Sequence, residues 1–327
     1  MHTFDFLKRI VPDFAKNLDL DWQMFHVPSL NFSEKSASEL KKYIILHHTE
    51  TTQEQDCNFH SLYLLTNSDR PDGVSSHYLI LRAEESVKYK YIAGIINLVG
   101  DGKKAWHAGS SEWADDINLN DLSIGIEINN NGFTEAFSNA QMASLIVLLH
   151  GLKKAYDISP FNLLGHAEIA PNRKSDPSHH FNWKLLADYG LGYFPLKRGT
   201  DEILCKEEDN NETVRAVQND LLMWGYRYLK ADGIFDEGMK SIVESFQRRY
   251  APDEYINSAL KGCWTSNSQV IINELLKAKE DYANCKLKIE IDTEKIKKYN
   301  PLRAYFSPYK DILVAMGMDY LINIEKN

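Results

Sequence analysis

The sequence predicts an α/β protein, a mixed central sheet flanked by helices, with a small all-α C-terminal domain. Three observations predict it. Short β-branched and aromatic runs alternate with helical spacing through about residue 190. Composition then shifts at "KRGTDEILCKEEDNNET" (197–213), a polar and charged linker. Beyond it, apolar residues recur at helical intervals punctuated by glycine.

The N-terminal "MHTFDFLKRIVPDFAKNLDLDW" reads as a short amphipathic segment. With Asp5 and Asp13, no long apolar core and no small-residue cleavage site, it does not read as a secretory leader. "KKYIILHHTE" (41–50) is a charged lead-in to a buried strand, and "SSHYLILR" (75–82) and "DLSIGIEINN" (121–130) are two more. "NAQMASLIVLLHGLKKAY" (139–156) carries helical spacing, with Ser138 or Asn139 as its cap. "DISPFNLLGHAEI" (157–169) gives a turn and a short strand. Past the linker, Val214, Val217, Leu221 and Leu222 share one helical face, and Met239, Ile242, Val243 and Phe246 another. Gly225 and the Asp232–Gly233 pair mark the turns between. The expected organisation is an N-terminal extension (1–39), an α/β domain (40–196), a helical domain (205–277) and a tail of unassigned role (278–327).

Composition excludes several classes. A net charge of −9 without a basic stripe argues against nucleic-acid partners. No apolar run reaches the roughly eighteen residues of a membrane span. Cys57, Cys205, Cys263 and Cys285 are widely spaced and form no CxxC pair, so no disulfide framework is expected. The N-terminus and the cysteine spacing point by default to the cytoplasm.

The chemistry-bearing groups are dispersed. His47 ends the first strand and Glu127 the third, while "GHAEIAPNRKSDPSHHF" (165–181) places His166, Lys174 and Asp176 on one loop. Two histidines and one carboxylate leave a fourth tetrahedral position open, the arrangement of catalytic zinc. Neighbouring strand residues face opposite ways, so only one of His47 and His48 can enter such a site. Each residue also has a plainer reading. A histidine after an apolar strand is more often a hydrogen-bonded structural residue, Glu127 suits a solvent face, and Lys174 with Asp176 suits an exposed ion pair.

The surrounding motifs join these residues. "IILHHTE", "VSSHYLI", "AWHAGSSEW", "LNDLSIGIEINNNG" and "GHAEIAPNRKSDPSHHFNW" resemble, in order and spacing, the zinc-dependent N-acetylmuramoyl-L-alanine amidases. Within them the likeness is to the AmpD/AmiD branch, related to phage lysozyme-type amidases and peptidoglycan recognition proteins. It covers about residues 40 to 190. The resemblance implies Zn2+ bound by His47, His166 and Asp176, with Glu127 and Lys174 catalytic. It implies that His77 and His107 line the pocket, and that Trp106 and Trp113 shape its sugar-facing wall. The implied reaction is hydrolysis of the amide between N-acetylmuramic acid, including its 1,6-anhydro form, and L-alanine. Three positions depart from wider family patterns: Ser76 stands where phage-type relatives carry tyrosine, and His179 and His180 are extra.

"VRAVQNDLLMWGY" and "ADGIFDEGMKSIVESFQ" resemble the three-helix peptidoglycan-binding domain, with Asp236 where relatives carry glycine. The partner implied is peptidoglycan or a muropeptide, and a wall-binding module favours the cell envelope or periplasm over the cytoplasm. The competing reading is a non-catalytic peptidoglycan binder or sensor. Relatives of that kind have typically lost the third zinc ligand, which Asp176 here supplies. A third reading makes the helical domain a partner-binding bundle. Oligomeric state is not legible in the sequence.

Overall fold

The computed structural model describes residues 8–9, 24–34, 40–51, 57–69, 73–82 and 93–322. The amphipathic N-terminal segment expected over the first 22 residues lies outside them, except for Lys8 and Arg9.

Among the described residues, seven strands form one mixed sheet. In chain order they are β1 (Lys8–Arg9), β2 (Met24–His26), β3 (Tyr43–His48), β4 (Tyr78–Ile80), β5 (Ile95–Asn97), β6 (Ser123–Ile128) and β7 (Leu163–Gly165). Their order across the sheet is β1-β2-β5-β4-β6-β3-β7. The neighbours β4, β6, β3 and β7 run parallel, and the β5–β4 and β1–β2 pairs are antiparallel. Parallel strands need cover on both faces, which is why β3 and β6 read as nearly unbroken apolar runs.

The two faces separate cleanly along β3. Ile44 and Leu46 join one core with the helix α1 (Asn139–Tyr156). Tyr43 and Ile45 join another, with residues of the C-terminal helices. Ser138 caps α1 in a capping box with Gln141, as its sequence suggests.

Leu145 through Leu149 and Leu152 of α1 are all fully buried. A helix apolar all round must be covered all round. The sheet covers one side, and the C-terminal segments Thr293–Lys298, Arg303–Phe306 and Lys310–Ala315 contribute to the same core through Ile296, Phe306, Ile312 and Leu313. Tyr309 anchors them: its hydroxyl donates to the carbonyl of Ala93 at 2.9 Å and lies 2.6 Å from Ser144 Oγ. The tail to which the sequence assigned no role is a layer of the first core.

After α2 (His166–Ile169), the helical domain is built on α3 (Glu212–Trp224), α4 (Glu237–Tyr250) and α5 (Ser266–Ala283). Val214, Val217, Leu221, Met239, Ile242, Val243 and Phe246 form its core, as their spacing predicts, and Leu222 is half-buried. The polar linker contributes the strand Ile203–Cys205, which pairs with Trp264–Thr265. Asp236 caps α4 by accepting from the Met239 amide at 2.8 Å, so the residue that replaces glycine starts the helix. Cys205, Cys263 and Cys285 are free thiols.

Candidate active site

The site lies at the carboxyl ends of the parallel strands, where open α/β sheets collect ligands. His47 and Glu127 are register partners on β3 and β6, so both side chains leave the same face of the sheet. His166 follows directly on β7. Asp176 is brought back to it by the loop, where the Ala167 amide donates to the Asp176 carbonyl at 2.8 Å.

His47, His166 and Asp176 are all buried, and one ligand atom from each lies within 4.8 Å of the others. His47 Nδ1 is 3.0 Å from His166 Nδ1 and 3.0 Å from Asp176 Oδ2, and His166 Nδ1 is 3.2 Å from that same oxygen. Three ligand atoms about 2.0 to 2.1 Å from a tetrahedral ion would stand roughly 3.3 Å apart. The triad therefore fits a small cation.

The outer nitrogens fix which ring atoms face the centre. His166 Nε2 lies 3.2 Å from the Ala108 carbonyl and can only donate to it, leaving Nδ1 a lone pair. His47 Nε2 lies 3.1 Å from His107 Nδ1, and His107 Nε2 lies 3.2 Å from Ser123 Oγ. The Ser123 hydroxyl donates to the Leu119 carbonyl. Followed inward from that carbonyl, this chain makes His107 a donor to Ser123 and His47 a donor to His107. Both His47 and His166 then turn Nδ1 inward as acceptors, which is the outer-sphere arrangement of metal-binding histidines.

Electrostatics agree. Burial, reinforced by the neighbouring His166 imidazole, lowers His47 to about 4, so it is neutral at pH 7. Burial alone would raise Asp176, but the imidazoles of His166 and His47 beside it outweigh burial and hold the carboxyl well below its usual range. Glu127 goes the other way: burial, reinforced by the Asp176 charge, pushes it up to about 8. Its Oε2 is buried without a hydrogen-bond partner among the described residues. Two carboxyls whose environments push them apart suit different tasks.

Glu127, Lys174, Trp106 and His107 line one cavity of about 200 Å³ together with His47, His166 and Asp176. His48 turns to the opposite side of β3, with its ring 6.0 Å from Phe133, and is no part of the triad. The alternation of side chains along a strand requires this.

Two pocket residues expected from the sequence lie elsewhere. His77 is wholly buried in the sheet, with Nδ1 accepting from the Gly125 amide at 3.0 Å and Nε2 against the Lys103 carbonyl at 3.0 Å. Both its nitrogens serve the backbone, leaving none for a ligand. Trp113 is buried at the joint with the helical domain, its ring 5.1 Å from that of Tyr226 and packed against Gly225. Any side chain at Gly225 would collide with that indole. His179 and His180 stack on each other 4.0 Å apart, and His179 rests on Tyr255 of the helical domain.

Sequence reasoning missed Ser123 and Asn120. Asn120 Oδ1 accepts from the amides of both His107 and Ala108, holding the loop that carries His107. No local pattern marks such residues, because their bonds to His107 and Ala108 span twelve or more positions.

Comparison with known proteins bears on this geometry. The family model for N-acetylmuramoyl-L-alanine amidase matches residues 38–179, and that for a peptidoglycan binding domain matches residues 210–253. N-acetylmuramoyl-L-alanine amidase AmiD of Escherichia coli is 31% identical over 226 residues, 67% of this chain and 78% of that protein. The chain belongs to the N-acetylmuramoyl-L-alanine amidase family.

Another member of this amidase family, 1,6-anhydro-N-acetylmuramyl-L-alanine amidase AmpD of E. coli, is 39% identical over 110 residues. That match spans 34% of this chain and 55% of AmpD. Among solved structures, E. coli AmiD in complex with anhydro-N-acetylmuramic acid-L-Ala-D-gamma-Glu-L-Lys superposes with a TM-score of 0.57 at 27% identity, covering 76% of this chain and 97% of that one. AmpDh3 of Pseudomonas aeruginosa gives 0.56 at 26% identity, covering 79% and 99%. The mixed sheet flanked by helices is the fold of these amidases. Among the described residues of this amidase, no helix is long and apolar enough to cross a membrane.

Proposed function

We propose that the protein hydrolyses the amide joining the lactyl group of N-acetylmuramic acid to L-alanine, and that zinc is the ion held by His47, His166 and Asp176. The observation that carries this reading is the buried His–His–Asp triad sharing one cavity with Glu127 and Lys174. Two imidazole nitrogens and one carboxylate oxygen are a donor set that suits zinc with a position open to water or substrate. When bound, zinc polarises a carbonyl and lowers the pKa of water toward 7.

The chain's own groups do the rest. Glu127 has a free oxygen in the cavity and accepts the proton of the attacking water, then returns it to the departing amine. Lys174 donates to the carbonyl oxygen as it gains charge, a role worth about 3 kcal/mol for a well-aimed donor. Trp106 gives the sugar an apolar wall and is itself oriented by donating from Nε1 to Ser33 Oγ at 3.1 Å.

Substrates of the muropeptide class are supported by the ligand in the AmiD complex and by the names of the AmpD relatives. The peptidoglycan-binding match favours the cell envelope as the place of action, and fractionation of native cells checks it. Protein confined to the cytosol would indicate recycling of soluble fragments instead. We assign residues 40–196 to catalysis, 205–277 to the wall-binding-like module and the tail to the catalytic core.

The deciding experiment incubates the protein with anhydro- and intact muropeptides, with and without chelator, and follows released L-alanyl peptide by mass spectrometry. Release that chelator abolishes and zinc restores is expected. A zinc-loaded protein that binds muropeptide but releases no peptide at any pH overturns the proposal and makes it a binder.

A further inference from the structure

We infer that Arg249, on the wall-binding-like module, is a positioning residue for the metal site, acting through Glu168 on the short helix that carries His166. The inference rests on the reading of His166 and Asp176 as metal ligands.

Four residues do not make a self-supporting helix, since nucleation alone costs more than one turn of hydrogen bonds returns. Something else must hold α2. Its N-terminal end is held by Glu168, whose Oε2 accepts from the Gly165 amide at 2.7 Å. The same oxygen accepts from Arg249 Nη1 at 2.5 Å, and this nitrogen also donates to the Leu163 carbonyl at 3.0 Å, on β7. The guanidinium lies over the Trp183 ring, 4.0 Å from its centre. One turn earlier on α4, Ser245 Oγ donates to the Ala167 carbonyl at 2.8 Å. The Ala167 amide is the group that binds the Asp176 carbonyl. Two residues of the module thus grip α2 from one side, while α2 holds Asp176 on the other.

Arg249 and Glu168 are both buried, 6% and 2% exposed, so the pair is no surface ornament. Its cost in desolvation is high, and hydrophobic residues of like size would stabilise the joint at least as well. A guanidinium whose Nη1 engages both a carboxylate and a strand carbonyl, while its plane stacks on an indole, fixes direction, which a greasy contact does not. The module therefore sets the geometry of the ligands as well as supplying any grip on the wall.

The test uses the full chain and reads metal affinity by chelator competition and the visible spectrum of the cobalt-substituted protein. Arg249→Met alone leaves Glu168 unpaired in the interior and could unfold the joint, so it is accompanied by Arg249→Met with Glu168→Gln, which removes both charges. That double variant is expected to fold, to bind metal about 10- to 100-fold more weakly and to shift the cobalt bands. Arg249→Lys should recover part of the loss. Arg227→Met is the control, because Arg227 crosses the same joint to the Ala114 carbonyl and Asp115 and makes no bond to Glu168 or the α2 backbone. It should leave metal affinity as in the wild type. A double variant with wild-type affinity and spectrum overturns the inference, as does a control that weakens the metal equally. If the wild type binds no metal through His166, judged by His166→Ala, the earlier reading of the site fails instead.

Discussion

His47 Nδ1 and His166 Nδ1 face each other across 3.0 Å, although 119 residues separate them in the chain. Both rings spend their other nitrogen outward, so the facing atoms bring two lone pairs together beside a carboxylate. Such an arrangement is relieved by a cation. Metal analysis should find that His47→Ala, His166→Ala and Asp176→Ala each lose the ion, whereas His48→Ala keeps it. Thermal unfolding provides a second reading: an ion present at a thousandfold excess over its Kd stabilises by about 4 kcal/mol, and chelator should remove that increment.

Glu127 predicts a pH signature. In the metal-free protein its carboxyl titrates at about 8, above the ordinary 4.5, because burial and Asp176 disfavour its charge. Its contribution to stability is therefore fully present below about pH 4.5 and is lost as pH rises through about 8. Glu127→Gln should flatten that decline in melts of the metal-free protein. A nearby cation favours the carboxylate, so metal uptake at pH 7 should release a proton that the glutamine variant does not. Calorimetry in buffers of different ionisation enthalpy counts it. The same variant should keep its metal and lose about 100- to 10,000-fold in kcat.

Gly125 tests the relay behind the ligands. A Cβ at this position would stand 2.4 Å from His107 Cγ. Gly125→Ala must displace the imidazole that bonds His47, at about 1–3 kcal/mol for overpacking. Denaturant unfolding should show the destabilisation, and chelator competition a weaker metal site.

The tail predicts an effect on stability rather than chemistry. Phe306 is fully buried in the first core, so Phe306→Ala should cost about 3–5 kcal/mol. Tyr309→Phe removes one hydroxyl that serves Ala93 and Ser144, for about 1 kcal/mol or more given the polar atoms left behind. Equilibrium unfolding measures both. Folded protein that retains wild-type kcat/KM at reduced Tm is the expected outcome.

The strands and α1 were legible because period and capping are local: β3, β6 and the Ser138 box each declare themselves within ten residues. The triad was legible only through its neighbours' resemblance to a family, since no spacing rule connects His47 to Asp176. His77 and Trp113 sit in motifs that match the family and yet lie away from the cavity. Motif membership records proximity along the chain, while the face of a strand and the docking of a second domain decide where a ring ends up. The tail was opaque for a related reason. Its apolar residues pair with α1 far upstream, and the one upstream hint was the unbroken "SLIVLL" of that helix, apolar on more sides than a sheet alone can cover.

That hint has a consequence for biosynthesis. A nascent chain that has reached Gly199 already contains every residue of the triad, yet the outer flank of α1 is still bare. The segments that cover it are synthesised after the whole helical module. A ribosome-bound intermediate therefore presents a greasy helix to its surroundings through more than a hundred further peptide bonds, the span over which aggregation or a chaperone competes with folding. Completion of the core waits on residues 296–321, and a stop before them yields a chain with all its catalytic groups and an unfinished core.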